Sequence, residues 1–520
     1  MEKNWANTSI NWLSQNGWSR ILLGAMLVAL AMVCAPVARA GGVVSSCDET
    51  SLLTAVSGGG MVKFTCSGTI TLTATITISA DTTIDGIGQN VTISGGNAVL
   101  VLSVPSGVKL NLNKITIANG NGGGIRNFGT LSVTNSTFSI NTAPSGGGIQ
   151  NVGATATVNN TTFSGNSASD GGAIFNFNYA TMTVTNSTFT GNSATSIGGG
   201  ILSQNSILTV ANSTFSGNTA PNGVGGAIFY FDFYDELDVT NSTFSGNSAV
   251  QGGAILFIVN EFQFRNNIFA NSPSGGNCNS PGGGTFYGNV NLDTDGTCGP
   301  PFTKSSDPGL GPLQNNGGPT QTMAISTASP AFAGANPANC PATDQRGVLR
   351  PQFMACDIGA YEFATANSLL TAVRNNILTL IPTGNQHDQT TLTAVASALT
   401  AALNSHNWRG TDGNHLNPSE GEDVFELLVE RVSAPLTQLL KASPPSAIPA
   451  QTLQTLLNNV TLAGRTLATV AISDAAGGDP TKLAKANALL AKGDADAAAG
   501  RYISALVNYE IAWALLQRDT

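Results

Sequence analysis

Charged side chains are scarce here: Asp, Glu, Lys and Arg make up 10% of 520 residues, and the formal charge is −9. Such a chain cannot neutralise a run of phosphates, which excludes nucleic-acid binding by the usual electrostatic route. Histidine is nearly absent, with only His387, His406 and His415. Their spacing, even with Asp388 and Asp412 close by, fits no recognised zinc pattern. No Ser-His-Asp or Cys-His arrangement is suggested locally, and the glycines lead into strands rather than helices, so none forms a phosphate-binding loop. The one long apolar run, Ile21 to Val33, is too short to span a bilayer comfortably. Low charge combined with 41% hydrophobic residues also excludes a disordered chain.

What the sequence has in excess is glycine, 60 of 520 residues, and a repeated phrase. Asn-x-x-Phe, then Asn, then a glycine pair recurs with its aromatic at Phe138, Phe163, Phe189, Phe215, Phe244 and Phe269, in steps of 25, 26, 26, 29 and 25 residues. The matching asparagines are Asn141, Asn166, Asn192, Asn218 and Asn247. Ahead of each aromatic, apolar residues alternate with Ser, Thr or Asn (Leu131, Val133; Met182, Val184; Leu208, Val210), the period of a strand with one buried face. Paired glycines, as at Gly171-Gly172-Ala173-Ile174, permit a sharp corner before the next strand.

A repeat of this length with two or three short strands predicts a solenoid whose coils pair in parallel. The expected fold is mainly β: a right-handed parallel β-helix of the pectate-lyase-like kind with a C-terminal α-helical domain. In register, the aromatics would form an internal stack and the asparagines would share amide hydrogen bonds. The expected organisation is a signal peptide over 1–40, the β-helix over 41–300 with 110–275 most regular, a cap over 301–363, and a helical domain over 364–520. Alternation at 62–66, 70–78 and 91–93 marks N-terminal coils. Within 364–520, apolar residues at helical spacing predict six helices, the last two over 482–491 and 494–517.

The leader reading rests on Lys3 and Arg20 ahead of the apolar run and on Ala38-Arg39-Ala40 as a cleavage site. Its removal takes Lys3, Arg20, Arg39 and Glu2, a net +2, and moves the charge from −9 to −11. No transmembrane segment is expected after that, and the protein is expected to be secreted or to sit at the cell surface or outer membrane. Cys47, Cys66, Cys278, Cys298, Cys340 and Cys356 then remain. An even count in an exported chain favours disulfides. Six cysteines allow fifteen connectivities; pairing of sequence neighbours is the expectation.

Phe163-Ser-Gly-Asn166 with Gly171 to Ile174, and Phe244-Ser-Gly-Asn247 with Gly252 to Ile255, resemble the paired motifs of chlamydial polymorphic outer membrane protein repeats over residues 110–275. That resemblance implies a surface-exposed or secreted right-handed β-helix implicated in adhesion, often exported as an autotransporter. An autotransporter ends in a membrane barrel of many alternating strands, whereas residues 367–520 read as helices. Asp307-Pro-Gly-Leu310, Gly317-Gly318-Pro319-Thr320, Asp344-Gln-Arg-Gly347 and Cys356 to Phe363 resemble the closing segment of extracellular choice-of-anchor proteins. In those proteins it caps the solenoid. Arg346 and Asp357 are a candidate pair within it. Near the end, Ala499 to Trp513 resembles a tetratricopeptide-like hairpin.

The scaffold also serves polysaccharide enzymes, whose sites need clustered acids and a base. Acids and aromatics crowd only into the 29-residue step, at Tyr230, Phe231, Asp232, Phe233, Tyr234, Asp235, Glu236 and Asp238. Of these, Tyr230, Asp232, Tyr234, Asp235, Glu236 and Asp238 are candidate ligand-binding residues, with the rings suited to stacking on a sugar. Asp293 and Asp295 alternate before Gly296 as oxygen ligands of a calcium loop do, without the terminal glutamate of an EF-hand; an Asx-rich turn is the competing reading. The Asn-Ser-Thr triplets at Asn135, Asn186, Asn212 and Asn241 match glycosylation sequons but fall at stacked corners, where a structural role is expected. The functional expectation is an adhesin-like, non-catalytic protein contacting glycans or host or cell-surface components, with no obligate cofactor. The alternative is a polysaccharide lyase or glycoside hydrolase.

Overall fold

In the computed structural model the described residues are 41–517, except 233–236, 260, 282–284, 301 and 306. The expected signal peptide at 1–40 lies outside them. One coil shows the path of all. Ile125–Asn127 belongs to sheet C, Thr130–Thr134 to sheet A, Thr137–Ser139 to sheet B and Thr142–Ser145 to sheet D, and Ile149–Val152 returns to sheet C one level on. Among the described residues sheets A and B hold 11 strands each, sheet C nine and sheet D five, and successive coils pair in parallel.

Every letter of the repeat has a task. The asparagine that opens each Asn-Ser-Thr triplet takes the left-handed conformation, with φ of 51° at Asn135 and Asn186 and 46° at Asn212. Asn tolerates that region better than other residues with a side chain. The serine that follows turns inward: Ser187 Oγ donates to the Thr185 carbonyl at 2.7 Å and accepts the Thr161 N–H at 3.2 Å. The threonine faces out from sheet B and the phenylalanine faces in. From Phe138 to Phe269 the six rings are fully buried and stacked, with centroids 4.6 to 4.8 Å apart and planes within 7 to 10°. Ile70, Ile93 and Ile117 extend the same column towards the N-terminus.

The asparagine three residues after the ring is buried and uses all its hydrogen-bonding capacity. Asn192 Oδ1 accepts from the Asn166 backbone N–H at 3.0 Å and Asn166 Nδ2 at 2.9 Å. Its own Nδ2 donates to the Phe163 carbonyl at 3.0 Å and to Asn218 Oδ1 at 2.8 Å. Asn141, Asn166, Asn218 and Asn247 continue this column, each with no exposure. A shorter ladder under sheet C runs Asn127, Asn151, Asn176 and Ser203, with links of 2.7 to 3.0 Å.

A stack of coils must close at both ends or leave unpaired backbone exposed. At the first coil an amphipathic helix, α1 (Glu49–Val56), does this; strand-like alternation does not foretell it. Asp48 caps it by accepting the Ser51 N–H at 2.9 Å, and Leu52, Ala55 and Val56 are buried over the first coil. At the far end the Phe302 ring meets Phe264 and Phe269 edge-on, at 6.0 and 5.8 Å. Among the described residues three disulfides join sequence neighbours, Cys47–Cys66, Cys278–Cys298 and Cys340–Cys356.

The segment expected as an end cap lies elsewhere. After Thr303–Lys304 adds the last rung of sheet B, the chain turns back and runs along that sheet's outer face as a strap. The cause is visible in the outward residues of sheet B, which change from Thr and Ser to Ile268, Ala270 and Leu292 in the last coils. Ile325, Ala331, Ala335 and Ile358 of the strap cover them. Further along, Thr188 Oγ1 donates to the Gln321 carbonyl at 2.6 Å, Thr214 Oγ1 to Gln345 Oε1 at 2.6 Å, and the Gly359 N–H to the Asn266 carbonyl at 2.7 Å.

The helical domain packs on the strap around its own core. It comprises α2 (Ala366–Leu380), α3 (Gln386–Ala402), α4 (Gly421–Glu426), a π-helical turn (Leu427–Ser433), α5 (Ala434–Leu440), α6 (Ala450–Asp474), α7 (Pro480–Ala498) and α8 (Tyr502–Gln517). Val348 of the strap joins that core, and Asn459 of α6 donates to the Gly347 carbonyl at 2.8 Å and accepts the Leu349 N–H at 3.2 Å. The last two helices break at Gly500 (φ 69°), not between 491 and 494 as apolar spacing suggests. There the Arg501 N–H returns to the Asp496 carbonyl at 2.9 Å.

Phe189→Ala should destabilise the protein by about 3–5 kcal/mol, read from the denaturant midpoint, because the vacancy lies between two rings that cannot collapse into it. Asn192→Leu strands the Asn166 donors and the Phe163 carbonyl and should cost about 1–3 kcal/mol for each group left unsatisfied.

Candidate functional site

With the interior committed to columns, chemistry can reside only on outward faces. Sheet A presents mostly Thr, Ser and Asn, such as Thr155, Thr157, Thr181 and Thr183, until its later coils. There Arg265 Nη1 meets both oxygens of Asp238 at 3.0 and 3.1 Å, while Thr240 Oγ1 donates to Asp238 at 3.0 Å. Acid and base thus converge at one point of sheet A, but as a closed, partly exposed ion pair.

Sheet C has a different character. The register aligns Arg126, Gln150, Phe175, Leu202, Phe229 and Leu256 in one outward column and Val152, Phe177, Gln204, Phe231 and Ile258 in the next. Phe175, Phe177, Phe229, Phe231 and Ile258 are half-buried, and Leu202 and Leu256 are buried in line with the rings. Phe175 and Phe177 lie 5.5 Å apart. Just past them Tyr179 is 81% exposed on a left-handed corner. Outward positions of a solenoid are ordinarily polar, so four consecutive coils of large apolar side chains set this face apart from the other sheets. Sequence reasoning missed this stripe, although its signal is legible: after the isoleucines of four successive glycine turns come Phe175, Leu202, Phe229 and Leu256.

The candidate cluster in the long step is dispersed by the same register. Tyr230 pairs with Ser203 and so falls in the inward column below Asn176 and Ser203; it is fully buried and donates its hydroxyl to the Ser206 carbonyl at 3.0 Å. It cannot stack on a sugar. Asp232 is 1% exposed, and Asp238 stands apart on sheet A with Arg265. Tyr234, Asp235 and Glu236 lie outside the described residues.

The calcium candidates are corrected in the same way. Asp293 pairs with Phe269, so its carboxylate occupies the next inward position of the aromatic column. Its Oδ1 accepts from Asn277 Nδ2 at 2.7 Å, and its Oδ2 from the Cys298 N–H at 2.9 Å. Asp295 Oδ1 accepts from Thr297 Oγ1 at 2.6 Å and from the Thr297 N–H at 2.9 Å; its Oδ2 accepts the Asn277 N–H at 2.9 Å. Protein donors occupy these oxygens in an Asx turn. Burial, then the neighbouring Asp295, pushes the Asp293 carboxyl up. Among the described residues no group of three or more His, Cys, Asp or Glu is placed to hold a metal ion.

The strongest electrostatics lie in the strap. Arg346 pairs with Asp344 at 2.7 Å and stacks its guanidinium 3.6 Å from the Tyr361 ring centroid; it does not pair with Asp357. Asp357 instead accepts backbone N–H groups of Ala333 and Phe363, and Arg350 reaches Glu362 at 3.4 Å and the Asp357 and Gly359 carbonyls at 2.7 and 2.8 Å. Three buried carboxylates therefore share two guanidinium groups. The excess negative charge in a dry site, burial foremost, holds Asp357 up at about 6 and Glu362 at about 7. With every oxygen engaged, this is a knot that fastens the strap.

The histidines do not converge. His415 is clamped between two carboxylates, Nδ1 to Asp412 at 2.7 Å and Nε2 to Asp474 at 2.9 Å, and the Asp412 hydrogen bond raises its pKa. It ties the loop before α4 to the end of α6.

Residues 97–269, about a third of the chain, match the family model described as a right-handed β-helix region. The protein is thus a right-handed parallel β-helix with a helical domain appended, and no helix among its described residues is long and apolar enough to cross a membrane. No curated protein and no solved structure gives a significant match to the chain.

The titrating groups set a pH response. Asp357 and Glu362 bind protons more tightly folded than unfolded, so their stabilisation is present near pH 5 and is lost as pH rises through about 6 and 7. His415, also raised, stabilises below its ordinary value and loses that contribution as pH rises through its folded one. Opening free energies from hydrogen exchange, corrected for intrinsic rates, should therefore fall between pH 5 and pH 8 for strap amides such as Ala333. Asn166 and Asn192 in the regular coils should hold steady.

Proposed function

We propose that this is an exported, non-catalytic β-helix protein that holds glycans or glycan-bearing surfaces, an adhesin-like role. The observation that carries the reading is the outward stripe of sheet C. Phe175 and Phe229, like Phe177 and Phe231, stand two coils apart, about 9.6 Å, comparable with one disaccharide unit of an extended polysaccharide. Gln204 lies between the second pair and Gln150 beside the first. Pyranose rings bind through this combination of an aromatic platform for their C–H faces and amides for their hydroxyls. The three disulfides and the long coiled framework suit an oxidising extracellular setting.

The polysaccharide lyase or hydrolase reading draws on Asp238 and Arg265, the one acid–base pair on a regular outer sheet among the described residues. The two readings separate in one set of assays. Phe175→Ala with Phe229→Ala should weaken retention on immobilised polysaccharide by about tenfold or more, since base–ring or sugar–ring stacking contributes on the order of a kcal/mol per contact, with the thermal midpoint little changed. Reducing ends or unsaturated products accumulating with the intact protein, and abolished by Asp238→Ala or Asp235→Ala, would replace the binding reading with the enzymatic one.

A further inference from the structure

Sheet B offers a second surface, and the strap shows how it works. Its outward threonines form one column, Thr69, Thr92, Thr116, Thr137, Thr162, Thr188, Thr214 and Thr243, in register. Over the later coils the strap occupies that column. Thr188 and Thr214 donate to strap oxygens, and Thr243 Oγ1 accepts the Ala360 N–H at 3.0 Å. Over the first coils no described residue of the strap occupies it: Thr69, Thr92, Thr116 and Thr137 line an open groove of about 410 Å³. That volume is within the range of small-ligand sites. None of these four hydroxyls is committed to a hydrogen bond among the described residues, and they repeat at about 4.8 Å. Each is a donor and an acceptor, able to do for a guest what Thr188, Thr214 and Thr243 do for the strap.

One residue at the rim gives the groove a charge. Lys114 has φ 55° at the corner where the next coils place Asn135, Asn160 and Asn186, all left-handed. An asparagine tolerates that conformation better than a lysine does. Its ammonium group lies 3.4 Å from the Ala498 carbonyl at the end of α7, a single long contact, and the residue lines the groove. A strained cation beside a hydroxyl column marks a site that selects for negative charge.

We infer that this groove binds a carboxylated glycan, with the threonine column taking sugar hydroxyls and Lys114 the carboxylate. The inference rests on the reading of the protein as a glycan binder but names a different face and adds a ligand class. Isothermal titration of the intact protein would use a hyaluronan tetrasaccharide, with one carboxylate per disaccharide, against chitotetraose as the neutral counterpart. The expected result is at least about tenfold preference for the former, declining with salt. Lys114→Asn, which places in the corner the residue its neighbours carry, should abolish that preference without lowering the melting temperature. Thr116→Val should weaken both ligands. Equal affinity of the intact protein for both, or unchanged binding in Lys114→Asn, overturns the site. If binding persists but depends only on Phe175 and Phe229, this inference fails while the glycan-binding reading stands; if neither sugar, nor any immobilised polysaccharide, is retained, both fall.

Discussion

A side chain repeated on every coil of a parallel solenoid must accept a copy of itself above and below, at the strand spacing. Few residues meet that condition when buried. Phenylalanine does, by offset stacking of its ring; asparagine does, because its amide donates upward and accepts from below while holding a backbone carbonyl. The columns Phe138 to Phe269 and Asn141 to Asn247 satisfy the constraint without exception, and the chain path follows from them. Serine at the Ser187 level meets it differently, passing a hydroxyl back to its own strand and receiving an N–H from the coil before. A polar group buried this way costs little, because its partner is guaranteed by the repeat.

The same constraint decides where function cannot be. Tyr230 and Asp293 look like surface chemistry when read locally, one among aromatics and acids, the other among alternating aspartates. Both fall on inward columns, the first under Ser203 and the second above Phe269, and both are consumed by internal hydrogen bonds. Outward faces are left with what the columns do not claim: the apolar stripe of sheet C, the hydroxyl face of sheet A with its Asp238–Arg265 pair, and the threonine column of sheet B. On the last of these the protein supplies its own guest over half the length, and the knot of Asp344, Arg346, Arg350, Asp357 and Glu362 fastens it there. The strap in turn carries the helical domain, through Val348 in its core and Asn459 on its backbone.

Most of the β-helix was legible because period-two alternation, a fixed repeat length and paired glycines are all local signals. The neighbour pairing of cysteines was legible for a simpler reason, since the partners are only 16 to 20 residues apart in sequence. Less legible were elements whose form depends on what they cover. Helix α1 interrupts a strand-like region because an open first coil demands an apolar lid. The strap was expected at the end of the solenoid, yet Ile268, Ala270 and Leu292 draw it along the side. The stripe at Phe175 and Phe229 escaped notice since a phenylalanine beside an isoleucine reads as core until register assigns it outward.

The amino-acid sequence alone determined the solenoid, its coil length and its aromatic and amide columns, because each is enforced between a residue and its own repeat, and the helical appendage, because its apolar residues recur at helical spacing. Only the tertiary structure decided which face is covered and which is open. Those outcomes depend on contacts between segments more than a hundred residues apart, such as Thr214 with Gln345 and Lys114 with Ala498, for which no local pattern exists.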